Sequence, residues 1–81
     1  MAPEIRIRQA TSADAFDVRR LAALDDSPAL RGDVLVAEES GELRAAISLD
    51  NGRVVANPFA RTASLVDMLR MTRGHVGQVA A

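Results

Sequence analysis

The sequence has no cysteine, no tryptophan, no tyrosine and a single histidine, and none of its ten basic residues is lysine. Without cysteine there is no disulfide scaffold, no cysteine-ligated zinc and no thiol chemistry. One histidine, His75, leaves no multi-histidine metal cluster, and no metal site is expected. The only aromatics are Phe16 and Phe59, too few for the stacking platforms on which single-stranded nucleic acid is held. No purely apolar run exceeds the four residues of Val34–Ala37, far short of the roughly 20 that span a bilayer. Met1-Ala2-Pro3-Glu4 lacks the basic and apolar regions of a signal peptide. The expectation is a cytoplasmic protein with no membrane and no nucleic-acid partner.

What is present is an ordinary soluble composition, 48% hydrophobic and 26% charged over 81 residues, read as one domain over residues 1–81. A domain this small buries only about 60% of the surface its unfolded chain exposes. Oligomerisation is a usual remedy for such a thin core. The arginine-only, alanine-rich composition suggests coding from a GC-rich genome of bacterial type. Charge is uneven: residues 1–40 carry eight acids against five arginines, and residues 41–81 three against five. That opposition, −3 against +2, suits two copies facing one another and is too weak for duplex DNA.

Ile5-Arg6-Ile7-Arg8 alternates as a half-buried or edge strand does. Thr11-Ser12-Ala13-Asp14 supplies a hydroxyl cap and an acid for a helix running to about Leu24. Its apolar face holds Ala15, Val18, Leu21 and Ala22, with Phe16 and Ala23 elsewhere. Asp25-Asp26-Ser27-Pro28 ends it, because the residue before proline is driven from helical geometry. Residues 25–33 read as a loop or one short turn. Three strands follow, over 33–38, 43–49 and 53–56. Ser40-Gly41 and Asn51-Gly52 separate them as hairpin signals. If both are two-residue turns, Val36 pairs with Ala45, Val34 with Ile47, and Leu49 with Val54. One face then carries Val34, Val36, Ala45, Ile47, Leu49, Val54 and Ala56, and the other Leu35, Ala37, Ala46, Ser48 and Val55. Both faces are apolar at the centre, so helices are expected on both. After Asn57-Pro58 a second helix starts near Thr62, with a stripe of Leu65, Met68, Leu69, Thr72 and Val76. Gly74 and Gly77 suggest fraying beyond about His75. The expected class is α/β or α+β, a three- to four-stranded, mainly antiparallel sheet with helices packed on it, in the order β-α-β-β-β-α.

That order, carried by IRIRQATSADAFDVRRLAALDD, VLVAEESGELRAAISLDNGRVVANPF and VVANPFARTASLVDMLR, resembles the N-terminal half of the GNAT acetyltransferase superfamily. The resemblance implies a GNAT-like half domain. It also implies a loop of the form R/Q-x-x-G-x-G/A after the fourth strand, whose amides hold the pyrophosphate of acetyl coenzyme A. Setting Arg61 at the first loop position puts Ser64 and Val66 where the family has glycine. A β-branched side chain there crowds the phosphates. The sequence also ends where the family continues into a fifth strand, so a single copy is not expected to complete a cofactor cleft.

Arg61, Thr62, Ala63 and Ser64 are the candidate anion or coenzyme A pyrophosphate site, set against the plainer role of a helix cap. No catalytic residue is assigned: His75 suits a solvated helix end, and Asp25-Asp26 and Glu38-Glu39 are read as solvated turn acids. The leading expectation is a non-catalytic, GNAT-like protein acting by homodimerisation or by binding a protein partner. It has no cofactor, and Val54, Val55, Leu65, Leu69 and Val76 are its candidate interface. The alternative is a minimal acetyl-CoA-dependent N-acetyltransferase completed across a dimer.

Overall fold

The computed structural model describes the backbone of residues 4–80 and the side chains of residues 4–75. The order is β1 (Ile5–Gln9), a short 3-10 turn (Ser12–Asp14), α1 (Ala15–Leu24), β2 (Val34–Glu39), β3 (Glu42–Ser48), β4 (Val54–Ala56) and α2 (Ala63–Ala80). The four strands form an antiparallel sheet in the order β1-β2-β3-β4. This is the expected class, α+β, with one helix on each face. Residues 25–33 form a loop without a helical turn. Instead of fraying beyond His75, α2 continues through Gly74 and Gly77 to Ala80. Each glycine costs a helix only about 1 kcal/mol, which does not break it.

Two cores result. Val18, Leu21 and Ala22 of α1 pack on Val34, Val36, Ala46 and Val55. Leu65 and Leu69 of α2 pack on Leu35, Ala37, Ala45 and Ile47. The helix faces agree with the periodicity, except that Ala15 is exposed.

Register corrects the sequence reading in two places. The first turn behaves as expected: Ser40 and Gly41 both have positive φ, 52° and 85°, and Glu39 stands opposite Glu42. One step further, Glu38 faces Leu43 while Ala37 faces Ala45, which leaves Arg44 as the extra residue of a β-bulge. That single residue changes which side chains share a face. Val34 and Val36 therefore lie with Ala46, and Ala45 and Ile47 lie with Leu35 and Ala37. Val36 pairs with Ala46 and Val34 with Ser48, not with Ala45 and Ile47.

The second turn is wider than two residues. Ile47 faces Val54 and Ala45 faces Ala56, so Leu49 does not pair with Val54. The cause is Ser48, whose buried hydroxyl accepts from the amides of Asp50 (3.2 Å) and Asn51 (3.4 Å) and donates to the Arg31 carbonyl (2.9 Å). The Leu49 amide is held by the Asp33 carbonyl at 2.8 Å, and the Asn51 side chain accepts from the Arg53 amide at 2.9 Å. A slip of two residues preserves the face, so Ala45, Ile47, Val54 and Ala56 still lie together.

Candidate functional site

The bulge turns Arg44 into a polar cleft of about 470 Å³ between α1 and the β2–β3 hairpin, floored by Leu21, Leu24 and Leu43. Its organiser is Arg8. On β1 the residues facing α1 are Arg6 and Arg8, since Ile7 packs with the α2 core. The Arg8 guanidinium donates from Nη1 and Nη2 to the two oxygens of Asp14, at 2.7 and 2.9 Å, and from Nε to Glu38 at 2.7 Å. All three nitrogens are engaged, in the planar fork that only arginine provides. Asp14 is itself buried, and its Oδ2 also accepts from the Thr11 amide at 2.7 Å and the Thr11 hydroxyl at 3.2 Å.

These partners fix the protonation states. The Arg8 guanidinium, then the Thr11 amide, hold the Asp14 carboxyl far below the usual carboxylate range. Asp14, then Glu38, raise the Arg8 pKa above its ordinary value. Asp14 is thus an anion at any physiological pH and has no proton to donate, which disqualifies it as a general acid. Arg44 is less completely engaged: Nη2 reaches Glu42 at 3.1 Å, while its buried Nε has no hydrogen-bond partner among the described residues and lies 3.9 Å from Glu39. The cleft is an ion network that largely neutralises itself. Glu38 and Asp25, read from sequence as solvated acids, are half-buried and bonded, Asp25 to the Ala56 amide at 3.2 Å.

The α2 amino end is separate from this cleft. Thr62 occupies the cap position, its carbonyl accepting from the Val66 amide at 2.9 Å. Arg61 and Ser64 are exposed and Thr62 is half-buried. None of residues 61–64 lines the polar cleft or a second cavity, of about 350 Å³, beside Val18 and Leu30. His75 is exposed and lines neither. Among the described residues no group of three or more histidines, cysteines or acids is placed to hold a metal ion. No described helix is long and apolar enough to cross a membrane.

Of the candidate interface residues, Val55, Leu65 and Leu69 are fully buried within the single chain, so their side chains are not offered to a partner. Val54 is half-buried, and the side chain of Val76 lies outside the described residues. What the sequence pattern missed is the difference between the two sheet edges. On β4, the bonds Ser48 N to Arg53 O and Asn57 N to Arg44 O, both 2.9 Å, turn the polar groups of Val54 and Ala56 outward. The loop after α1 guards that side, because Asp25 takes the Ala56 amide and the Arg53 guanidinium donates to the Pro28 carbonyl. On β1, the bonds Ser40 N to Glu4 O and Ala10 N to Val34 O, both 2.8 Å, assign even-numbered residues to β2. The amides and carbonyls of Ile5 and Ile7 point away from the sheet. They have no hydrogen-bond partner among the described residues.

No protein-family model, no curated protein and no solved structure matches the chain.

Proposed function

We propose that this chain acts by association and not by catalysis, as a small GNAT-like protein that joins a second protein surface through its sheet edge. The observation that carries this reading is the outer edge of β1, five residues long, with outward backbone groups that no described residue satisfies. Such an edge is a template for another strand. Ile5, 40% exposed beside it, adds apolar surface for a partner to cover. The element order, with an antiparallel meander and a helix on each face, supports the resemblance to the first half of an acetyltransferase fold. The enzymatic reading lacks comparable support, because the residues that would hold the coenzyme A pyrophosphate line neither cavity.

Two measurements test the proposal. Sedimentation equilibrium at micromolar concentration is expected to give a mass above that of one chain, for the protein alone or with its partner. A monomer that captures nothing would sink the reading. Titration with acetyl-CoA is expected to give no heat; saturable binding that Arg61→Ala abolishes would revive the enzyme.

A further inference from the structure

We infer that the partner at the β1 edge is a second copy of this chain, paired antiparallel about a two-fold axis that passes beside Ile5. The inference rests on the association reading above and adds the occupant, the edge and the register.

Edge geometry favours a closed pair. Growth of β1 onto β4 of the next copy is a head-to-tail contact that would propagate into a filament. The β4 edge is only three residues long and is guarded by Asp25 and Arg53. With one open edge among the described residues of each chain, self-pairing is the contact that closes. Neither helix blocks it, because α1 lies over β3 and β4, and α2 over β2 and β3.

Charge then selects the register. The outward groups belong to Ile5, Ile7 and Gln9, so a hydrogen-bonded two-fold pairing must set odd residues opposite odd residues. Five registers satisfy this with the axis at a residue of β1, from Ile5 to Gln9. Centring on Ile7 opposes Arg6 of each copy to Arg8 of the other. Centring on Arg6 opposes Glu4 to Arg8 but also Arg6 to Arg6, centring on Arg8 opposes Arg8 to Arg8, and centring on Gln9 opposes Arg8 only to the uncharged Ala10. Centring on Ile5 opposes Glu4 of each copy to Arg6 of the other, twice, and places no like charges opposite one another. These are non-hydrogen-bonded positions, where opposing side chains come closest. Glu4 and Arg6 already lie 3.8 Å apart on one chain and are largely exposed, 79% and 65%. Four charges of alternating sign would therefore line the seam on the α1 side. On the α2 side Ile5 meets Ile5 of the second copy, which covers its exposed surface.

The absence of cysteine makes the register directly readable. Opposed residues of a hydrogen-bonded pair have Cα atoms about 5.5 Å apart, within disulfide reach. Ile5→Cys is expected to form a covalent dimer under mild oxidation, whereas Phe59→Cys, 85% exposed on a remote loop, is not. Arg6→Glu turns both cross-strand pairs into repulsions and is expected to weaken dimerisation roughly tenfold. Glu4→Arg should do the same, and the double exchange Glu4→Arg/Arg6→Glu should restore it. Both side chains are exposed, so circular dichroism should show each variant folded. A stable wild-type dimer with no Ile5→Cys cross-link and no response to charge exchange overturns this edge and register while leaving the association reading intact. A complex with a different protein and no self-association overturns the second copy as the occupant. A wild-type monomer without any partner overturns both.

Discussion

Arg8 and Asp14 set the acid response of the molecule. In the unfolded chain Asp14 titrates near the usual value of about 3.9, and in the folded chain well below it. Between those two values the unfolded chain binds more protons, so stability rises with pH across that window. The contribution is fully present above about pH 4 and is lost as pH falls toward the folded value. Urea unfolding from neutral pH downward should show this loss. Asp14→Asn, which removes the titrating group, should lower the midpoint at neutral pH and flatten the acid limb. Parallel acid limbs in the two proteins would mean that the loss comes from another carboxylate. Arg8→Lys keeps the charge but not the three-pronged fork, so it should not preserve the wild-type midpoint.

At the scale of elements, the β3–β4 turn depends on one hydroxyl. Ser48→Ala removes the acceptor for the Asp50 and Asn51 amides and the donor to the Arg31 carbonyl. The expected cost is about 1 kcal/mol, that of lost intramolecular hydrogen bonds whose other partners sit on exposed residues and can turn to water. Amide exchange at Asp50 and Asn51 should quicken beyond what the global loss explains; uniform acceleration would argue against the hydroxyl as organiser. The same turn shows where sequence reasoning stops. Helix faces were legible, because Val18, Leu21 and Ala22 or Leu65 and Leu69 repeat at helical spacing and are buried where expected. The Ser40-Gly41 turn was legible too, since its backbone demands positive φ. The bulge at Arg44 was not: both sheet faces are apolar, so either register buries similar side chains. Only the fit of two different helices decides between them. The β1 edge, the proposed association site, was hidden for a related reason. A search by apolar pattern selects Val55, Leu65 and Leu69, which the fold uses in its own core. An open edge is instead a property of strand order and backbone direction. The alternation of Ile5-Arg6-Ile7-Arg8 hinted at an edge strand without saying which side of it pairs with β2.

For the whole molecule, thinness is the governing fact. Each of the two cores is a single layer of side chains between one helix and one face of the sheet, so each large residue carries much of the stability. Leu69→Ala, at a fully buried position, should cost about 2–5 kcal/mol. A domain of this size shifts its thermal midpoint by roughly 4–8 °C per kcal/mol, so this variant should be largely unfolded at physiological temperature. Val55→Lys should be worse, since it places an unpaired charge at the floor of the α1 core. If a second copy binds the β1 edge, its binding energy adds to folding by mass action, and the thermal midpoint must rise with chain concentration. Calorimetry over a wide dilution range should show that rise in the wild type. Arg6→Glu should flatten it while leaving the midpoint at high dilution nearly unchanged, because the Arg6 side chain is exposed and its one ion pair among the described residues, with Glu4, is long and exposed. A wild-type midpoint independent of concentration would mean that the two thin cores suffice alone and that the free edge adds nothing to stability.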